Sequence, residues 1–375
     1  MFVRWIEDDQ ELTAEWRSEN NAPPPAEVVV VDDALTADAA YRLAVDGKAM
    51  LWRGDFQNAR QLLKAVGRRV EQAGKRRPAK DSAEAFHLHR QRQAREAQLL
   101  GKLLVPMDPG HVVALRRAPD VREACTEAYG PAEQPSIMSL RELLGVIGAH
   151  EWRRKGVDVP GLGARIHPHY GVFSPVRGEY VDLVASAPLP SRRLAFDIGT
   201  GSGVLAAVLL NRGVESVVAT DQDQRALDCA QDNLERLGFA DRVRFERTDL
   251  FPSGEAPLVV CNPPWLPAKP SSPIEHAVYD PGSRMLRGYL DRLGKHLEPD
   301  GEGWLVLSDI AEHLGLRSRA DLLEAISSAG LTVIGRTDTR PRHPRASDSS
   351  DPLHAARAAE VTSLWRLAQN PSSRV

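Results

Sequence analysis

Residues 194–203 read LAFDIGTGSG, a short apolar run that enters a turn with glycines at alternate positions. The apolar sequence VLAAVLL follows at residues 204–210 and predicts a helix. Gly199, Gly201 and Gly203 allow a tight turn, and they let a ligand approach the backbone where a side chain would clash. Such a turn between a strand and a helix is typical of a cofactor loop, although a purely structural turn produces the same pattern.

The spacing of this turn separates it from the common dinucleotide-binding pattern. Nicotinamide enzymes usually carry G-x-G-x-x-G, with a helix N-terminus directed at a pyrophosphate. Here the glycines follow G-x-G-x-G, and Asp197 lies two positions before the first of them. A carboxylate at that position would repel a pyrophosphate, so the turn suits a cofactor that carries an ammonium and a sulfonium group.

The chain beyond the turn alternates predicted strands with predicted helices, which indicates an α/β fold with a doubly wound, mainly parallel sheet. Two closing strands without a full helical crossover predict an antiparallel edge pair. The predicted strands are 194–198, 217–220, 243–247, 258–261, 304–308, 331–337 and 361–367, and the predicted helices 224–237, 283–296 and 317–329.

Acidic residues follow the next two predicted strands. Asp221 ends the second strand, where a carboxylate can accept hydrogen bonds from both hydroxyls of a ribose. Its alternative role is to cap the following helix, which Asp223 could equally do. Asp249 follows the third strand and can accept from an adenine amino group, or it is a surface loop carboxylate.

The sequence Asn262-Pro263-Pro264-Trp265 follows the fourth predicted strand directly. The two prolines fix the backbone and remove its donors, which leaves carbonyl acceptors. The Asn side chain adds an acceptor and the Trp adds a flat stacking surface. The motif suits a planar NH₂ group, whose hydrogens these acceptors would take; the alternative is a simple proline loop.

Together, DIGTGSG, TDQD, TDLF and NPPW resemble the class I S-adenosylmethionine-dependent methyltransferases. Within that class the order and spacing are similar to the amino-methylating branch with an NPP(Y/F/W) loop. This branch includes nucleic-acid adenine and guanine amine methyltransferases and release-factor glutamine methyltransferases. The resemblance covers residues 166–370, and 170–175 (YGVFSP) resembles the G-x-F-(T/S)-P segment that covers the methionine end of the cofactor in this branch.

The resemblance implies a seven-stranded Rossmann-like sheet, S-adenosylmethionine as cofactor and a role for each motif residue. The implied cofactor-binding residues are Phe173, Ser174, Pro175, Asp197, Gly199, Thr200, Gly201, Gly203, Asp221, Gln222, Asp249, Leu250 and Asn262. The implied catalytic residues are Asn262, Pro263, Pro264 and Trp265. Two features differ from the glutamine-methylating members, namely Trp265 in place of their usual Tyr and a longer leading domain.

We expect residues 1–165 to form a mostly helical domain that is a candidate for substrate recognition, and residues 166–375 to form the catalytic domain. Thr36 and Asp55 are positioned to cap two helices, and a basic helix is predicted from Ser82 to Leu104. The stretch 111–116 alternates loosely and could be a strand. The Pro- and Gly-rich stretch 157–165 is the expected junction.

The 375 residues have a net charge of −3, but the charge is uneven. Residues 1–46 carry eleven acidic and three basic side chains, whereas residues 60–102 carry twelve basic and four acidic ones. Such asymmetry fits a polyanion-binding face or a solvated helix surface. The basic loop 340–345 (RPRHPR) adds to the first interpretation and makes RNA, or a ribosome- or translation-associated protein, an expected partner.

Other features predict the compartment and exclude further chemistry. No apolar run is long enough to span a bilayer, the start lacks a secretory signal, and the three cysteines are far apart. We therefore expect a soluble, cytoplasmic protein with no membrane partner. His167 and His169 lack an evident third ligand, so we interpret them as loop histidines and expect no metal.

These features predict an enzyme that transfers a methyl group to a planar nitrogen, either an exocyclic amine of a nucleobase in RNA or a glutamine amide of a translation-related protein. The alternative is an N-methyltransferase that acts on a small metabolite. A module that retains the cofactor without turnover is disfavoured by the intact NPPW motif.

Overall fold

The computed structural model describes residues 1–74, 78–175, 178–341, 348 and 351–370. Its chain forms two compact units. The first contains Met1–Ala79 and His87–Glu151, and the second contains Lys80–Phe86 and Trp152–Val375.

The first unit is built on a six-stranded sheet, so the expectation of a mostly helical domain is wrong. The strands are β1 (Phe2–Glu7), β2 (Gln10–Trp16), β3 (Val28–Val31), β4 (Ala49–Trp52), β5 (Leu103–Met107) and β6 (Ser136–Ser139). Their order is β1-β2-β6-β5-β4-β3. Cα atoms of the two edge strands, β1 and β3, come within 8 Å of each other, so the sheet is nearly closed.

These strands escape sequence analysis because they are short and some are buried on both faces. All four residues of β4 are buried, as are all four of β6, so neither shows the alternation of apolar and polar residues that indicates a strand. The longer amphipathic helices between them dominate the pattern instead.

The helices in residues 1–155 are α1 (Ala37–Val45), α2 (Phe56–Ala73), α3 (Ser82–Leu100), α4 (Arg122–Tyr129) and α5 (Leu140–Lys155). The predicted caps are confirmed, since Thr36 accepts from the Ala39 amide and Asp55 from the Gln57 amide. The basic helix ends at Leu100, earlier than predicted, because the chain enters β5. The stretch 111–116 is not a strand and makes only an isolated bridge between Asp108 and Val112.

The second unit has the predicted seven-stranded, mainly parallel sheet with helices packed against it. After the small hairpin of β7 (Val157–Val159) and β8 (Ala164–Ile166), its strands are β9 (Leu194–Ile198), β10 (Ser216–Asp221), β11 (Val243–Arg247), β12 (Ala256–Cys261), β13 (Leu297–Ser308), β14 (Leu331–Thr339) and β15 (Thr362–Gln369). The order is β11-β10-β9-β12-β13-β15-β14. The predicted antiparallel edge is confirmed, because β15 runs antiparallel to both β13 and β14.

The helices of this unit are α6 (Glu179–Ser186), α7 (Val204–Asn211), α8 (Gln224–Arg236), α9 (Arg284–Leu293), α10 (Ile310–His313), α11 (Arg319–Ser328) and α12 (His354–Ala359). Seven consecutive residues of α7, from Val204 to Leu210, are buried, which explains why its sequence is apolar on every side. Among the residues that the structure describes, no helix combines the length and apolar character needed to cross a membrane.

Candidate active site

Four neighbouring strands bring the predicted site residues to one edge of the sheet. Strands β11, β10, β9 and β12 are adjacent and parallel, so their carboxyl ends meet at the same edge. Asp221 ends β10, the glycine turn follows β9, and Asn262 follows β12 directly. Ligands of open α/β sheets bind at this edge, so the fold itself locates the candidate site.

The glycine turn has the left-handed backbone that its sequence suggested. Gly199, Gly201 and Gly203 have φ values of +70°, +55° and +78°. A Cβ on Gly203 would come within 3.0 Å of Ala230 on α8, so this glycine allows close packing of the helix. A Cβ on Gly201 would meet nothing within 4 Å, so the space above the turn is open to a ligand.

Asp197 lies beneath the turn, with 1% of its surface exposed. Its Oδ2 accepts hydrogen bonds from Thr200 Oγ1 at 2.7 Å and from the Ala206 amide at 3.1 Å. Burial raises the pKa of Asp197 to about 6, although these two hydrogen bonds oppose the shift. The carboxylate therefore shapes the turn; its direct contact with a cofactor stays a prediction.

Asp221, at the end of β10, bonds to the glycine turn, and its contact with a ribose stays a prediction. Its Oδ2 accepts from the Gly201 amide at 3.1 Å and its Oδ1 from the Asp223 amide at 3.0 Å, while burial raises its pKa. Asp223 caps α8 by accepting from the Arg225 amide, so the alternative capping role belongs to Asp223. The neighbouring Gln222 is exposed, and its carbonyl accepts from Arg247 Nε at 3.1 Å.

Asp249 and Leu250 follow β11 at the same edge. Asp249 is exposed and forms an ion pair with Arg284 Nη1 at 3.1 Å, a partner that sequence reasoning missed. Leu250 is buried with φ +78°, an unusual conformation for a branched residue. Its carbonyl accepts from Thr220 Oγ1 at 2.5 Å, which fixes the turn after β11. Adenine contact by Asp249 stays a prediction.

The NPPW motif follows β12, the strand adjacent to the one that enters the glycine turn. Pro263 and Pro264 are buried, whereas Asn262 and Trp265 are partly exposed. The Trp265 indole Nε1 donates to Asn262 Oδ1 at 2.9 Å, a contact that the sequence did not indicate.

The segment before the G-x-F-S-P motif is held by one face of α8. His167 N–H donates to Asn233 Oδ1 at 2.7 Å, and Asn233 Nδ2 donates to the Ser202 carbonyl at 3.0 Å in the glycine turn. Positions 225, 229, 232 and 233 share a helical face, and the side chains there contact Tyr170, His167 and His169. Sequence reasoning missed this face because its partners lie about sixty residues away.

The two histidines in this segment bond to the protein itself. The Nδ1 of His167 lies 2.6 Å from the Arg153 carbonyl, and Nε2 of His169 lies 3.2 Å from Asp232 Oδ2. These contacts agree with their interpretation as loop histidines.

Ser174 offers a polar group that nothing in the described part of the chain uses. Its Oγ is buried and has no hydrogen-bond partner among the described residues. Phe173 is partly exposed and Pro175 is buried. An unpartnered hydroxyl beside the predicted methionine end fits a polar ligand group there, because burying a hydroxyl without a partner costs free energy.

The loop after NPPW reaches back to the glycine turn. Met285 Cε occupies the space that a Cβ on Gly199 would need, and the Met285 amide donates to Asp280 Oδ2 at 2.6 Å. Burial raises the pKa of Asp280. Neither residue was singled out from sequence, because the contact depends on how the loop that ends at Asp280 and the start of α9 are placed beside the turn that follows β9.

The basic loop that favoured a polyanion falls only in part on described residues. Arg340 is exposed, whereas Arg342, His343 and Arg345 lie outside the described residues, as do positions 75–77 of the basic segment 60–102.

The chain matches one family model and several known proteins. Residues 163–325 match the family model described as Methyltransferase small domain. The chain is 34% identical over 210 residues to the ribosomal protein L11 methyltransferase of Sorangium cellulosum (strain So ce56), an alignment that covers 55% of this chain and 57% of that protein. It is 29% identical over 180 residues to the release factor glutamine methyltransferase of Cereibacter sphaeroides, over 44% of this chain and 63% of that protein.

The chain spans less than two thirds of the length of either relative. A solved ribosomal protein L11 methylase from Lactobacillus delbrueckii subsp. bulgaricus aligns with a TM-score of 0.37 and 17% identity, over 53% of this chain and 81% of that one. The family model covers residues 163–325, which is less than half of the chain, and over that range the chain is similar to the Methyltransferase small domain.

Proposed function

We propose that this protein is an S-adenosylmethionine-dependent N-methyltransferase that modifies a planar nitrogen of a protein substrate. The observation that carries the proposal is the position of Asn262, which follows β12 directly while the glycine turn follows the adjacent strand β9. The groups that we propose to bind the cofactor and the nitrogen therefore lie at one edge of the sheet, and residues 163–325 match the Methyltransferase small domain.

The cofactor side has the chemistry that this ligand requires. Gly201 leaves open space above the turn, Asp221 supplies carboxylate oxygens for ribose hydroxyls, and Ser174 supplies a buried hydroxyl without a partner among the described residues. Carboxylates at the turn, Asp197 beneath it and Asp221 beside it, favour a cation over a pyrophosphate. When bound, S-adenosylmethionine supplies an electrophilic methyl group on its sulfonium.

The NPPW motif would make the substrate nitrogen more nucleophilic. An amide or aromatic amine is a weak nucleophile because its lone pair is delocalised into the adjoining π-system. Asn262 Oδ1 and the Pro263 carbonyl would accept its two hydrogens, which draws the nitrogen toward tetrahedral geometry and frees the lone pair. Holding that nitrogen in line with the methyl group lowers the barrier further by orientation. The proton becomes acidic only as the new bond forms, so no strong general base is needed.

The names of two relatives support a protein substrate. The names of both sequence relatives assign them translation-associated proteins as substrates, ribosomal protein L11 in one and a release factor in the other. We therefore place a protein nitrogen, with a glutamine-type amide first, ahead of a nucleobase amine in RNA. A small metabolite is the remaining alternative.

The test is a transfer experiment with a labelled methyl donor. Purified protein, S-adenosylmethionine carrying a labelled methyl group and a whole-cell extract are incubated, and portions are then digested with protease or with ribonuclease. Label released only by protease supports the proposal. Label released only by ribonuclease would replace it with RNA methylation, and label in the low-molecular-weight fraction before digestion would replace it with metabolite methylation. Absence of any transfer, with Asn262→Ala as the matched blank, contradicts the enzyme assignment.

A further inference from the structure

The indole of Trp265 is fixed in place by its surroundings. It packs against three clusters of buried apolar side chains in the second unit. One contains Val260 of β12, another contains Cys261 at the end of that strand, and the third contains Leu266 and Ile310. A partly exposed side chain that packs against three clusters has restricted rotation, because moving it would open voids in the surrounding packing.

The polar edge of this fixed ring meets the predicted catalytic amide. Trp265 Nε1 donates to Asn262 Oδ1 at 2.9 Å. An indole N–H is a donor only, whereas an Asn carboxamide has an acceptor oxygen at one end and a donor NH₂ at the other. The hydrogen bond can therefore form in only one of the two orientations of the amide, the one with its oxygen toward Trp265.

From this geometry we propose that Trp265 is a positioning residue that orients the Asn262 amide for its reaction. This inference rests on the proposed N-methyltransferase function and deepens it. A carboxamide oxygen has two lone pairs, so Oδ1 can keep the Trp265 bond and still accept a hydrogen of the substrate nitrogen. The reversed amide would present its NH₂ group to the substrate NH₂, and two donors repel.

The role belongs to the indole N–H and not to aromatic character in general. A Phe at position 265 would fill part of the same apolar space without a donor. A Tyr would carry its hydroxyl at the far end of the ring, on a different vector from the indole nitrogen. The proposed role therefore depends on one atom, Trp265 Nε1, which can be replaced alone.

The decisive variant is Trp265→3-benzothienylalanine, introduced at this position by stop-codon suppression. It replaces the indole N–H by sulfur and keeps the bicyclic shape. We expect kcat for labelled methyl transfer to extract protein to fall about tenfold, with KM and the Kd for S-adenosylmethionine within about twofold, because the loss is one of orientation. Trp265→Phe, which also loses ring volume, should lose at least as much.

A double-mutant cycle separates orientation from support of the fold. In Asn262→Asp both side-chain oxygens are acceptors, so rotation of the group no longer changes what the substrate meets. Removal of the indole N–H should then cost less than about twofold in the Asn262→Asp background. An equal cost in both backgrounds would overturn the positioning role.

A spectroscopic readout tests the hydrogen bond without any turnover. The chain has seven tryptophans, so an ¹⁵N-indole spectrum gives six internal controls for Trp265. We expect Asn262→Ala to shift the Trp265 indole signal and to accelerate its exchange with solvent about tenfold or more. No change in that signal, or full kcat in the benzothienyl variant of an active enzyme, would overturn this inference alone. A wild-type protein that transfers no methyl group would overturn the proposed function as well.

Discussion

Replacement of Asn233 by Ala should lower both the stability of the second unit and its affinity for S-adenosylmethionine. Asn233 is 1% exposed on α8. Its Oδ1 accepts from the His167 amide at 2.7 Å and its Nδ2 donates to the Ser202 carbonyl at 3.0 Å. It therefore ties the glycine turn to the segment that precedes G-x-F-S-P, two parts of the chain that we propose to lie at the cofactor site.

The magnitude follows from the groups that the substitution leaves without partners. Asn233→Ala removes the acceptor of one backbone N–H and a donor to one backbone carbonyl. Each buried polar group left unpaired costs about 1–3 kcal/mol, so the free energy of unfolding should fall by about 2–6 kcal/mol. S-adenosylmethionine should also bind at least about threefold more weakly, because the turn loses its anchor to residue 167.

The assay is urea unfolding followed by circular dichroism, with calorimetry for cofactor affinity. The matched control is Gln231→Ala on the same helix, where the side chain is exposed and its Nε2 donates to Glu235 Oε1 at 2.8 Å. The control should change stability by less than about 0.5 kcal/mol. A loss below about 1 kcal/mol for Asn233→Ala, or equal losses for both variants, would refute the reasoning.

Three further predictions concern the acids and the amide. Asp221→Ala should weaken S-adenosylmethionine binding by about 1–3 kcal/mol, because ribose hydroxyls lose their acceptors; unchanged affinity in calorimetry would contradict this role. Asn262→Ala should lower turnover on the order of a hundredfold and leave cofactor affinity within a few-fold, as expected for a transition-state acceptor. Equal losses of turnover and of cofactor affinity would mean that Asn262 supports the fold and not the chemistry. Burial raises the pKa of Asp197 from 3.8 to about 6, so the folded state binds more protons between these values and stability should fall by up to about 3 kcal/mol as pH rises through them. The free energy of unfolding, measured by urea titration at several pH values, should not fall in this way in Asp197→Asn. The same fall in the variant and in the wild type would contradict the raised pKa of Asp197.

Sequence alone located the strand ends of the second unit and most of its candidate site. Apolar runs such as 194–198 and 258–261 are bounded by turn residues, and parallel strands bring their carboxyl ends to one edge. The glycine turn, Asp221 and Asn262 could therefore be placed together before any coordinates. Both the strand pattern and the turn chemistry are local properties, which is why a single sequence was enough.

The tertiary structure alone decided the features that depend on residues far apart in the chain. The six-stranded sheet of the first unit comes from short strands such as Val28–Val31 and Ala49–Trp52, whose pairing partners rather than their own patterns make them strands. Asn233 meets His167 across 66 positions of sequence, and Met285, at the start of α9, lies against Gly199 of the glycine turn. Hydrogen bonds and packing of this kind follow from proximity in space, on which composition and periodicity carry no information.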